Sequence, residues 1–301
     1  MLRRFALEQD VAQRIKKLQA LMQEKGLGAV FIPAHGAPGM MGVAKYYTNI
    51  VLWAGPAYVV VGAEHPEPAL IQWSAYGANW NRQEATTSWV ENPDPDAFGR
   101  AIEIAKELAG AKKRIGVEHV NASWLVGEWD RVHKEMPGYE FVDIGRDIDN
   151  LRAIKSALEI EENYRTGRIM TEGMYTFGQV ARPGGRVWDA ASAAEEVLKA
   201  QGCFWGRSKF SLDLRPYTIP TPLERVFTED DIILFEFVYT GPLGYWYEQT
   251  ALFSFKELPA DLQAQVDAQE KVIRACALAA RAGNPVGEVA RVSNQTWAEL
   301  G

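Results

Sequence analysis

A glutamate wedged between two phenylalanines sets the tightest limit on this chain. In Asp231-Ile232-Ile233-Leu234-Phe235-Glu236-Phe237-Val238-Tyr239, the run from Ile232 onward is apolar or aromatic on both faces of a strand except at Glu236. The turn residues Thr240-Gly241-Pro242-Leu243-Gly244 follow, then a second aromatic-rich run, Tyr245-Trp246-Tyr247-Glu248-Gln249-Thr250. Two such runs either side of glycine and proline predict a hairpin. An unpaired carboxylate buried in it is costly. With the turn centred on Pro242, Glu236 and Glu248 stand directly opposite each other on one face, their Cβ atoms about 5 Å apart. Facing carboxylates repel unless a cation lies between them or one keeps its proton. One reading is a functional pair. The other is structural, with one glutamate on an arginine and its fellow in solvent. A turn centred elsewhere puts Gln249 opposite Glu236.

The surrounding pattern is mixed. Val11, Ile15, Leu18, Leu21 and Met22 recur at helical spacing, and Gly26 ends that helix. Ala29-Val30-Phe31-Ile32 reads as a buried strand. Residues 57–61 and 69–73 read as a hairpin. A helix over roughly 96–110 leads into strand 114–118, and another near 122–135 leads into strand 139–142. Such alternation predicts an α/β (α+β) layer structure with a mixed sheet. A boundary near residue 150 divides the chain into 1–150 and 151–301. Just beyond it, Ser156-Ala157-Leu158-Glu159 forms a capping box. The helix it opens runs to about Val180 and breaks at Pro183-Gly184-Gly185. A second helix follows from Asp189 to Gly202. Then come a strand-rich stretch over about 208–256, a helix over 259–281 with Leu262, Val266, Val272 and Ile273 inward, and another helix over 286–300.

Composition excludes several classes of function. The formal net charge of −7 and the lack of a basic stripe argue against nucleic acid as a partner. No apolar run reaches membrane-spanning length, and Arg3-Arg4 precede no signal-like core. The two cysteines, Cys203 and Cys276, have no metal-ligand spacing, so idle thiols in a reducing, cytoplasmic compartment are expected.

Both halves resemble the creatinase/Xaa-Pro dipeptidase family. Lys17-Leu18-Gln19-Ala20-Leu21-Met22 through Gly26-Leu27, Tyr46-Tyr47-Thr48-Asn49 and Arg114-Ile115-Gly116-Val117-Glu118 are similar to its N-terminal domain. Leu151-Arg152-Ala153-Ile154-Lys155-Ser156 with Glu159-Ile160 looks like the junction where its catalytic domain begins. Pro183-Gly184, Trp188-Asp189 and Thr228-Glu229-Asp230-Asp231 fit in the same order. The resemblance implies a creatinase-type mixed-sheet domain, then a pita-bread domain that is incomplete at Gly301, usually in a homodimer. It also implies a metal-dependent hydrolase cleaving a peptide or related C–N bond, with a small peptide or amino-acid-derived substrate.

In that family the two hairpin positions hold aspartates that ligate a pair of divalent ions. Here Glu236 and Glu248 occupy them, as candidate ligands for Mn, Zn or Co. The family's upstream histidine is missing. That stretch reads Leu214-Arg215-Pro216-Tyr217-Thr218-Ile219-Pro220, and Tyr217 is the substitute candidate. The resemblance places the family's remaining ligands, a histidine and two glutamates, in sequence beyond Gly301, so these 301 residues alone are expected to be silent as a dinuclear hydrolase. The four histidines, His35, His65, His119 and His133, lie in the first half. His35 sits near Gly36, Gly39 and Gly42 in a surface loop, His65 in a proline-rich turn and His119 at a strand end. The tryptophans at 80, 89, 124, 129 and 205 are expected to pack. The alternatives are a lyase or non-peptidase hydrolase on the same fold, since fold does not fix chemistry, or a non-catalytic binding protein.

Overall fold

The helical spacing read from Val11, Ile15, Leu18 and Met22 is realised as a buried face: each of these side chains is at most 4% exposed. In the computed structural model, which describes residues 2–36, 42–212 and 224–300, they lie on helix α1 (Leu2–Glu24). The chain then runs through β1 (Ala29–Ala34), α2 (Gly42–Thr48), β2 (Ala57–Gly62), β3 (Ala69–Gln72), α3 (Ala75–Glu84) and β4 (Val90–Glu91). It continues with α4 (Ala97–Ala109), β5 (Arg114–Val117), α5 (Val120–Ser123), α6 (Val126–Glu135), β6 (Glu140–Asp143) and α7 (Gly145–Ala153). The second half holds α8 (Ala157–Val180), α9 (Val187–Ala200), β7 (Gly206–Ser211), β8 (Ile232–Thr240), β9 (Trp246–Ser254), α10 (Ala260–Ala279) and α11 (Val286–Leu300). Two compact units result, Met1–Glu162 and Asn163–Gly301, and α8 begins in one and ends in the other.

The first unit is built on a mixed six-stranded sheet ordered β4-β3-β2-β1-β5-β6. The hairpin β2–β3 is antiparallel, as is β1–β2, while β1–β5 and β5–β6 are parallel. Strands β1, β2 and β3 are buried along their whole length, which is why they read as continuous apolar runs rather than alternating ones. On one face, Phe31, Tyr58, Val60, Ile71, Ile115 and Val117 pack against Phe98, Ile102 and Ala105 of α4 and Val132 of α6. Asp96 caps α4 by accepting from the Gly99 N–H at 2.9 Å. Gly26 ends α1 with φ 66°, a left-handed value that glycine adopts without strain.

The capping box at α8 is formed in both directions. The Glu159 N–H donates to Ser156 Oγ at 3.2 Å, and the Ser156 N–H donates to Glu159 Oε2 at 2.8 Å. Arg14 of α1 donates to the Tyr46 carbonyl at 2.9 Å and lies 3.9 Å from the buried Glu159.

The second unit is a three-stranded antiparallel sheet, β7-β8-β9, with α8 and α9 on one face. Phe177, Phe210, Phe227, Phe235 and Phe237 anchor its core, with Phe210 and Phe235 stacked at 4.4 Å. Gly173 permits α8 to lie close: a Cβ there would stand 2.5 Å from Leu198 and 2.9 Å from the Phe237 ring. The two closing helices pack on each other but stay largely open. Val272 is buried, whereas Ile273, expected inward, is 60% exposed. Successive helical positions are about 100° apart, and on this helix the inward direction falls on Val272 while Ile273 turns to solvent.

Candidate functional site

Alternation along β8 sorts its side chains into two sets. Ile233, Phe235, Phe237 and Tyr239 point into the core formed with α8 and α9. Leu234, Glu236, Val238 and Thr240 point the other way. Pairing adds Arg207, Lys209 and Ser211 from β7 and Trp246, Glu248, Thr250 and Leu252 from β9 to that second face. It is the face of the sheet that carries charge.

The register corrects one expectation. Glu236 stands directly opposite Thr250, and Glu248 opposite Val238, so the two glutamates are not an opposed pair. The loop explains why. Its three residues are Pro242, Leu243 and Gly244. The Gly241 N–H donates to the Tyr245 carbonyl at 2.8 Å, and the Gly244 N–H donates to the Gly241 carbonyl at 2.8 Å. Gly244 closes the loop at φ 85°, the left-handed third position of a three-residue hairpin loop. The turn is therefore centred on Leu243, one residue beyond Pro242. Moving the centre by one moves every partner by two, which keeps each side chain on its face. Glu236 and Glu248 are thus diagonal neighbours on one face, a separation that long side chains bridge. Glu236 is close enough to raise the Glu248 carboxyl above its ordinary range.

The cation that Glu236 requires is supplied by β7, and it is a lysine rather than the arginine of the structural reading. Lys209 sits directly opposite Glu236 and places Nζ 3.0 Å from its Oε1. The Glu236 side chain is only 6% exposed and the lysine 29%. Lys209 was not singled out in the sequence. Its signal was the alternation Ser208, Phe210 inward and Arg207, Lys209 outward, which becomes informative only once β7 is paired with β8.

Glu248 is exposed, and its carboxyl is held above the usual carboxylate range. The hydrogen bond with Glu236 is the main cause, followed by desolvation and the repulsion of Glu236; Lys209 pulls the other way. A carboxyl whose folded-state pKa is raised weighs against the fold once pH passes its unfolded value, and fully so above the raised value. Glu248→Gln removes that penalty. The variant is expected to melt like the wild type near pH 4 and progressively above it as pH rises through the raised range. A melting difference that does not vary with pH would show that no proton is shared.

The donors described on this face do not by themselves fit a two-metal centre. Divalent oxygen-ligand sites draw on about six donors per ion. This face offers two carboxylates with the hydroxyl residues Thr250 and Ser211 nearby, and the group paired with Glu236 is an ammonium. Among the described residues no group of three or more His, Cys, Asp or Glu side chains is arranged to hold a metal ion.

The other candidates have structural partners or lie elsewhere. Tyr217 and Gly39 fall outside the described residues. His35 Nε2 lies 3.0 Å from the Ser123 carbonyl, His65 Nδ1 2.7 Å from the Glu67 carbonyl, and His119 Nε2 2.9 Å from Asp149. His133 packs on Trp129 and Phe141. Trp124 is buried, and Trp89 and Trp129 pack against the first core, while Trp80 and Trp205 are partly open at 36% and 45%. Burial pushes the Cys203 thiol up to about 11, which leaves it an unreactive packing group. No helix among the described residues is long and apolar enough to cross a membrane.

Comparison with known proteins gives the frame for this face. Residues 14–154 match the model of the creatinase/prolidase N-terminal domain. No protein among the curated ones matches. Among solved structures, the chain is similar to the prolidase from Pyrococcus horikoshii OT3, with TM-score 0.72 and 18% identity, covering 96% of this chain and 78% of that one. It is also similar to the X-Pro aminopeptidase from Thermotoga maritima MSB8, with TM-score 0.76 and 17% identity over 92% of this chain and 76% of that one. The Xaa-Pro dipeptidase from Bacillus anthracis gives TM-score 0.76 and 17% identity over 97% and 78%. At these identities the likeness is one of fold.

Proposed function

We propose that this chain, a member of the creatinase/prolidase family through its N-terminal domain, serves a hydrolase that cleaves a C–N bond in a small peptide or amino-acid derivative on the charged face of β7–β9. The observation that carries the reading is the Glu236–Glu248 pair: two carboxyl groups at diagonal positions on one face of a prolidase-like fold, one buried and one open to solvent.

The two environments divide the labour. Glu236, ion-paired to Lys209, is the base. It takes a proton from a water whose oxygen attacks the carbonyl carbon of the scissile bond. Glu248 holds its proton more tightly and is the acid, delivering it to the leaving nitrogen as the C–N bond breaks. The products are a carboxylic acid and an amine, and the proton taken by Glu236 returns the pair to its starting state. The working unit in this reading is a homodimer, which sedimentation of the intact protein would report directly.

The test is to incubate the intact protein with a panel of Xaa-Pro dipeptides, other dipeptides and N-acylated amino acids, and identify the products by mass. Addition of one water across a C–N bond is the expected result. Products bearing a new double bond and no added water would reassign the face to a lyase. Tight binding without turnover across the panel would make the protein a binding homologue.

A further inference from the structure

Taking a carboxylate out of water demands a compensating charge or donor. At Glu236 the compensation comes from within the chain and from the next strand. Lys209 and Glu236 are directly paired across β7 and β8, with Nζ 3.0 Å from Oε1. The ammonium also acts on the Glu248 carboxyl, so one cation serves both acids. The flanking positions on this face, Ser211, Leu234, Val238 and Thr250, bring no further charge, and Arg207 lies one row away opposite Val238.

We infer that Lys209 is the resident cation of the Glu236–Glu248 pair, filling the place a divalent ion would take, and that neutralising it converts the pair into a divalent-cation site. The inference deepens the functional reading above and rests on it for the claim that this face is where the chemistry occurs. Its physical content is exclusion. An ammonium 3.0 Å from Oε1 occupies the oxygen that a metal would need, and it repels a doubly charged ion at a distance where screening by water is poor. A lysine in this position therefore acts as a positioning residue. It gives Glu236 its counter-charge and fixes its orientation, which a metal does in sites with more carboxylate and imidazole donors. Removing the ammonium leaves a buried carboxylate with an acidic neighbour and no counter-charge, an arrangement that a divalent ion relieves.

The experiment uses the full chain and MnCl2 as the probe, with bound Mn2+ read by electron paramagnetic resonance and melting followed with and without the metal. The wild type is expected to bind no Mn2+ at this face and to melt at the same temperature in its presence. Lys209→Met is expected to bind one Mn2+ per chain with a Kd of about 0.1–1 mM, the range of weak carboxylate sites. Its melting temperature should rise with added Mn2+. Lys209→Gln, the second neutral variant, should do the same, Lys209→Arg should behave as the wild type, and Lys209→Met with Glu236→Gln should lose both effects. A neutral variant that folds only when Mn2+ is present supports the inference equally. Stoichiometric Mn2+ binding by the wild type that Glu236→Gln removes would overturn it. So would folded neutral variants that bind Mn2+ no better than the wild type. None of these readouts involves a substrate, so failure of the hydrolase reading and failure of this one are separately visible.

Discussion

Phe177→Ala is expected to destabilise the second unit by about 3–5 kcal/mol, the cost of deleting a fully buried aromatic ring and leaving a cavity. Phe177 has no exposed surface. Its ring centroid lies 4.2 Å from that of Phe235, 4.9 Å from Phe253, 5.4 Å from Phe210 and 6.2 Å from Phe227. It is the point where α8 meets all three strands, and the neighbouring rings are too rigid to close the void. The loss should appear as faster hydrogen exchange at the β8 amides and a lower urea midpoint for that unit. Ile273→Ala is the control: Ile273 is 60% exposed, so its truncation should stay within about 0.5 kcal/mol of the wild type. Equal effects from the two substitutions would mean that the aromatic cluster is not the core that holds the sheet to its helices.

What could be read in the sequence follows from how local each feature is. The capping box at Ser156 and Glu159 needs four consecutive residues, and it forms as read. The buried strands of the first unit announce themselves as unbroken apolar runs. Glu236 stands out because a single charge interrupts such a run. The face shared by Glu236 and Glu248 was legible too, since parity along a strand survives a shift of the turn. Their exact pairing was not. It depends on whether Pro242 or Leu243 is the centre, and that is decided by Gly244 taking the left-handed position. Lys209 was the least legible of all. It becomes a site residue only through pairing with a strand more than twenty positions away, and nothing in Ser208-Lys209-Phe210 names Glu236 as its partner.

The second large effect concerns Glu236. Glu236→Gln preserves the shape of the side chain, keeps an oxygen facing Lys209 and leaves that lysine, 29% exposed, able to reach water. The fold should therefore survive, while the group that accepts the proton of the attacking water is gone. Removal of a positioned general base costs about 10²–10⁴ in rate. Glu248→Gln should also slow the reaction, and by less where the leaving amine needs little help from an acid. Neither residue is called on to anchor the substrate, so the loss belongs in kcat. The most direct measurement is kcat and KM of the intact protein and of Glu236→Gln on the best substrate of the panel, with melting curves of both run alongside. A collapse of kcat with KM and melting temperature nearly unchanged is the expected result. A folded Glu236→Gln enzyme that turns over at close to the wild-type rate would contradict the placement of the chemistry on this face.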